Sequence, residues 1–414
     1  MNIKTSRFLV RSLLPRVAAA SVAAVSLVGC GDDTLGRGGP GIASGCAKVG
    51  EVVVLPFARN FDLAAVEGGF EVILREAEGA ASYLVDGNSG EVAARVPFSF
   101  ARGGDVRVER LGEGLVAASV FGGVSEGIAV ATQTAGVWTV ARSTEAAQGR
   151  TFTDGSAVAV DSSGKVVVVW IGQTNGESTL LFANWTAADG FGAYDQIIPS
   201  GNALWELGVE VNAAFDPAGQ LRIVVSGSDD EGASGLYTLT RGLDGKWSTA
   251  KRLSALGGST QRQSITALAT GSAGTRAFAV QRASFADNTD GGIASWDLDS
   301  AEFTALSGPK DPRPVVSGVD AAYLLDGRAL VTASWGANNL NPTDSDDEVL
   351  VYACDGMLCR EALVIDGRNG TFFGASRIAI RGQEGAVAYN AEAKGGAGVE
   401  ETRLQRFRCV LPSE

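Results

Sequence analysis

From residue 46 onward the chain is a succession of short apolar runs, each soon broken by Gly, Asp, Ser or Asn. Residues 158–170 carry the pattern most clearly: Val158-Ala159-Val160, then Asp161-Ser162-Ser163-Gly164-Lys165, then Val166-Val167-Val168-Val169-Trp170. Val and Trp favour extended backbone, and Asp-Ser-Ser-Gly is turn chemistry in which Gly supplies a positive φ. The unit therefore predicts two strands joined by a tight turn. Its second run is apolar at every position, which predicts a strand buried on both faces. Helical periodicity is almost absent after residue 30.

The unit recurs. Its marker glycines are Gly69, Gly114, Gly164, Gly219, Gly274, Gly327 and Gly385, separated by 45, 50, 55, 55, 53 and 58 residues. A second apolar hairpin follows within the period, as in 127–142 with Gly136-Val137-Trp138, 179–198 with Gly190-Phe191, 235–253 with Gly245-Lys246-Trp247, and 348–365. Four short antiparallel strands repeated at this spacing are the signature of a propeller blade. A chain of β-sandwich modules fits less well, because the period is too short for a sandwich and too regular for loops. The expected fold is all-β: a seven-bladed β-propeller of four-stranded antiparallel blades.

The last period is incomplete. Residues 377–380, 385–389 and 400–409 supply three strands, and the chain then ends. At the other end, residues 46–55 (CAKVGEVVVL) form a strand with no blade of its own. This chain looks like a propeller that closes by mixing its terminal strands. The N-terminal strand should complete the last blade by pairing with 400–409, with Val52 and Val54 on its buried side. The cysteines support the same closure. Val349-Leu350-Val351-Tyr352-Ala353-Cys354 aligns with Leu404-Gln405-Arg406-Phe407-Arg408-Cys409, and Cys359 aligns with Cys46. The expected disulfides are Cys46–Cys409 and Cys354–Cys359. Chain-entropy arithmetic gives about 2 kcal/mol for the short loop and roughly 5 for the long one.

The first residues have a different pattern. Lys4, Arg7, Arg11 and Arg16 form a basic segment without acids, and 17–28 is an Ala- and Val-rich run too short to span a bilayer. It ends at Leu27-Val28-Gly29-Cys30, which resembles the lipobox of bacterial lipoproteins. The resemblance implies cleavage before Cys30 and a diacylglycerol on its thiol. Gly31, not Asp, follows the cysteine, so the expected location is the outer membrane or cell surface of a bacterium, with Cys30 as the membrane anchor. The implied organisation is a signal peptide over 1–29, a flexible Gly-rich tether over 30–45, and a propeller over 46–414.

Charge and composition narrow the function. Removal of the signal's four positive charges takes the net charge from −13 to about −17. Such a chain is not expected to bind nucleic acid or anionic membrane surfaces. The sequence contains no histidine. That removes Ser-His-Asp and Cys-His catalysis and His-ligated zinc together. Gly123-Val124-Ser125-Glu126-Gly127 matches a serine-hydrolase elbow in letters only, since no His base exists, and it reads as a loop. The Ser-x-Asp-x-Gly-x-x-Trp box of sialidase-like propellers is absent.

Candidate chemistry lies in loops and at the starts of inner strands. Asp344, Asp346 and Asp347 alternate as a weak Ca²⁺ candidate, the one possible cofactor. Acidic loops at 226–235 and 286–292 should share its rim. Blade-to-blade connections bring Trp205, Arg368, Phe372 and Phe373 toward a central funnel, and Asp62, Asp105 and Asp320 begin inner strands. The leading expectation is a monomeric, non-enzymatic module that binds an envelope protein or a glycan. The alternative is a carbohydrate-active enzyme, a glycosidase or lyase, built on a pair of funnel carboxylates, since two Asp/Glu suffice without histidine. Acids tied up in salt bridges would favour the binder.

Overall fold

The computed structural model describes residues 45–410 apart from 77–78, 101–104, 122–126, 144–150, 175–176, 198–203, 206, 208–210, 230–233, 254–265, 282–291, 301–302, 307–314, 337–347, 356–357, 367–372 and 393–399. Seven antiparallel sheets form a ring, a seven-bladed β-propeller. Blade three shows the local logic. Its first two strands, Thr151–Val160 and Val166–Thr174, pair through Val160↔Val166 to Ala157↔Val169 around the predicted turn. Asp161 Oδ1 accepts the Ser163 and Lys165 backbone N–H groups at 2.8 and 2.9 Å, and Gly164 takes φ +83°. The turn is thus closed by its own side chain.

The unbroken apolar run is explained by two neighbours. Val167, Val169 and Ile171 pack into a cluster with Val211, Ile223 and Val225 of blade four. Val166, Val168 and Trp170 pack the other way, against Val116, Ala118, Val120 and Val130 of blade two. Among the described residues, seven such clusters, one at each blade-to-blade seam, make up the core.

The marker glycines fall into two kinds. Gly164, Gly219 and Gly327 are the positive-φ turn residues themselves. In blade seven the turn belongs to Gly382, at φ +67°, and Gly385 lies inside the next strand. There a Cβ would come within 2.2 Å of the Phe407 ring, so Gly385 is fixed by close packing rather than by turn geometry. Both demands select glycine, which is why the period is visible in the sequence.

The ring closes as the termini predict. Strand Cys46–Leu55 is the outermost strand of blade seven, paired antiparallel with Glu400–Cys409 from Cys46↔Cys409 to Leu55↔Thr402. The disulfides Cys46–Cys409 and Cys354–Cys359 join directly opposed residues, each with Cα atoms 3.9 Å apart. One detail is reversed. Val53 and Leu55 pack against blade one, while Val52 and Val54 point away and are exposed at 38% and 57%; the register slips by two residues between Val49 and Val53, which leaves the alternation of faces unchanged. Arg406 also crosses the seam and donates from Nη1 to the Gly87 carbonyl of blade one at 2.7 Å. Gly50 and Gly90 leave it room, since a Cβ at either would lie within 3 Å of its guanidinium.

Candidate functional site

The first strands of all seven blades converge on the axis. Convergence leaves little space, and small residues such as Ala64, Ala157, Ala213, Ala321 and Ala379 occupy much of the wall. Between them lies a cavity of about 470 Å³ with contributions from every blade. Its lining reaches Leu325 and Gly382, which belong to turns between first and second strands. The cavity therefore extends toward the face that carries those turns, opposite the blade-to-blade connections.

Charged side chains interrupt this small-residue wall. Asp62 of blade one accepts the Val108 backbone N–H of blade two at 2.7 Å through Oδ2, and its Oδ1 lies 3.4 Å from Arg377 Nε of blade seven. Burial pushes its pKa up to about 6, against the opposing pull of Arg377 and Arg107. Asp320 of blade six does the same work at the seam between blades six and seven, accepting the Ile378 N–H of blade seven at 2.9 Å. Burial raises its pKa too, and Arg377 counteracts the rise. Asn212 of blade four reaches Thr266 of blade five, donating from Nδ2 to Oγ1 at 2.6 Å. These polar residues act as staples between successive inner strands, giving buried polar groups their partners.

Glu109, on the same inner strand as Arg107, is different. Its carboxyl lines the cavity, receives the N–H of Arg110, and has no cationic partner among the described residues. Enclosure by the channel wall, then the charges of Asp62 and Asp320, push its pKa up. Its exposure to channel water tempers that push.

The sequence-predicted residues are distributed unevenly. Asp62 and Asp320 meet in the cavity. Asp105 stands just before its strand, 3.8 Å from Arg107 Nη2, and is not part of the lining. Trp205 belongs to the short strand Leu204–Trp205, which pairs with Asp229 and Ser228. Phe373 opens strand Phe373–Arg381 opposite Ala391. Arg368, Phe372, Asp344, Asp346 and Asp347 lie outside the described residues, as do most of the 226–235 and 286–292 loops and Gly123 to Glu126. No group of three or more Asp, Glu or Cys able to hold a metal ion occurs among the described residues. Sequence reasoning missed Arg107, Glu109 and Arg377. The available signal was a run of charge, Arg107-Val108-Glu109-Arg110, where an inner strand was expected to be apolar.

No family model and no curated protein matches the sequence. Among solved structures, the polysaccharide lyase Uly1 is similar at a TM-score of 0.55 and 8% identity, over 86% of this chain and 91% of that one. Trypanosoma rangeli sialidase is similar at 0.49 and 11% identity, over 86% of this chain and 60% of that one. The Hadza microbial sialidase Hz136 gives 0.48 and 12%, over 83% of this chain and 74% of that one. The chain thus spans about three fifths of the length of the Trypanosoma rangeli sialidase. What is shared is the architecture of a β-propeller. At these identities the likeness supplies no functional residue to this chain.

Proposed function

We propose that this protein is a non-catalytic, glycan-binding propeller held at the bacterial cell envelope by a lipid on Cys30. The observation that carries the binding reading is the engagement of the channel acids. Asp62 and Asp320 each accept a backbone N–H from the next blade, and Arg377 stands against Asp62. A two-carboxylate glycosidase needs an acid and a second carboxylate free to face the scissile bond. Of the three carboxyls that line the cavity among the described residues, Glu109 is the one not used between blades. A rigid ring with a polar central cavity suits recognition of a small polar unit better than contact with a flat protein surface. The two disulfides fit an oxidising, exported location, and the lipobox supplies the anchor.

The test has two arms. Full-length protein, extracted in detergent, is applied to a glycan array beside a protein pull-down from envelope extract. Reproducible capture of glycans without turnover supports the reading; release of shortened glycan products, or capture of a protein with no glycan bound, overturns it. In cells, Cys30→Ala should move the protein from the membrane to the soluble fraction with its melting temperature unchanged. A variant that stays as membrane-bound as the parent removes the anchor from the proposal.

A further inference from the structure

We propose that the seam between blades one and two binds a carboxylate group at Arg75, a site that goes beyond the glycan reading and stands without it. Arg75 lies near the end of strand Gly69–Glu76, on the side turned toward blade two and close to the face of the blade-to-blade connections. Both of its terminal nitrogens, Nη1 and Nη2, are buried, and neither has a hydrogen-bond partner among the described residues. Glu76, next in sequence, faces the other way and pairs with Arg95. Burial pushes the Arg75 pKa down to about 10, and no neighbouring charge acts against that push. Buried polar groups in folded proteins are matched as a rule, and a buried charge that is not matched is costly. The position therefore favours an anion.

Geometry selects the kind of anion. The flat face of the guanidinium is taken, since its Cζ lies 5.7 Å from the centroid of the Phe100 ring. That ring is fixed in turn: it meets Phe98 edge-on at 5.4 Å, and Phe98 stacks on Trp138 of blade two at 4.5 Å. The outer edge of the guanidinium stays unused, and there Nη1 and Nη2 present two parallel N–H donors that match the two oxygens of a carboxylate. Positive charge continues around the site. Arg142 of blade two donates to the Ser99 carbonyl, between the two phenylalanines, at 2.9 Å. Arg59 is exposed next to Asn60, whose carbonyl accepts the Arg75 N–H at 2.9 Å. The net charge of −13 opposes an anion only beyond the range that salt screens, about 8–10 Å. Because the guanidinium edge is covered, the seam parts at this end to admit the anion.

Thermal unfolding of the full-length protein in nonionic detergent tests the site, with sodium acetate, sodium gluconate and sodium chloride compared at one ionic strength of about 0.1 M. The expected result is a melting temperature about 2 °C higher in acetate or gluconate than in chloride, because the ligand stabilises the folded ring alone. Arg75→Met keeps an unbranched apolar side chain and removes the charge. It should melt in chloride no lower than the parent, and it should respond alike to the three salts. Arg75→Lys keeps the charge without the fork and should lose most of the shift. Gluconate acting above acetate supports a polyhydroxy carboxylate as the ligand, and equal action supports the bare group. Three results overturn the site: a parent that melts alike in all three salts, a carboxylate shift that survives in Arg75→Met, or an Arg75→Met variant that melts well below the parent in chloride.

Discussion

At the scale of single residues, Asp62 is the most informative position. It caps the Val108 N–H and faces Arg377 in a crowded channel, so Asp62→Ala leaves the Val108 N–H without its acceptor and Arg377 without the carboxylate beside it. The expected cost is about 2–4 kcal/mol, read from urea denaturation midpoints. Asp62→Asn keeps an oxygen acceptor and should cost less. The pH dependence follows from the raised pKa. The native protein holds this proton more tightly than the unfolded chain, so the contribution of Asp62 to stability is most favourable below the ordinary value of 3.8. It declines as pH rises toward about 6 and is constant above. The stability of the parent relative to Asp62→Asn should therefore fall between pH 4 and pH 6; a flat difference refutes the assignment. Asp62 and Asp320 were legible as acids at the starts of inner strands. Their partners were not, because Val108 and Ile378 are 46 and 58 residues away in sequence. Glu109 went unnoticed for a related reason: its neighbours in space come from blades one and six.

At the scale of elements, the alternation within an apolar run decides what each side chain does. Trp170 is completely buried in the seam between blades two and three. Trp170→Ala should destabilise by about 3–5 kcal/mol. Gly164→Ala acts on the backbone instead, because φ +83° is strained for any residue with a Cβ, and about 1 kcal/mol is expected. Thermal unfolding of the two variants separates packing from turn geometry: a Gly164→Ala loss as large as that of Trp170→Ala contradicts this division. Strand existence was readable because apolar runs and turn residues alternate along the whole chain. Strand continuity was not. The first strands of blades three, six and seven shift register at Phe152/Ser156, Val316/Gly318 and Phe373/Ser376, and that of blade four is divided into Leu204–Trp205 and Val211–Phe215. A bulge adds a residue without changing composition, so hydrophobic pattern alone does not reveal it.

At the scale of the whole molecule, closure depends on one strand supplied from the far end of the chain. Deleting 46–56 removes Val53 and Leu55 from the seam with blade one and leaves strand Glu400–Cys409 as a bare edge. The truncated protein should aggregate and lose its cooperative unfolding transition. The paired variant Cys46→Ser/Cys409→Ser should remain folded through the ladder and the Arg406 contact, but with a lower melting temperature. Non-reducing peptide mapping of the parent checks the premise: a peptide linking Cys46 to Cys354 or Cys359, or four free thiols, contradicts the closure. Blade number and closure were legible because a repeat counts itself and an unfinished repeat announces its missing part. The ligand was not, because recognition depends on which side chains meet at the axis, and the period carries no record of that meeting.

The Cys46–Cys409 bond also has a mechanical consequence. With a lipid on Cys30 as proposed, every pull from the membrane reaches the ring at the start of strand Cys46–Leu55. A strand held by hydrogen bonds alone would bear that load at its first rung and could peel away one rung at a time. The covalent link sits at that rung and passes the tension directly to the end of strand Glu400–Cys409. The ring is thus suspended from two strands at once, and force applied through the tether bypasses the ladder that closes it.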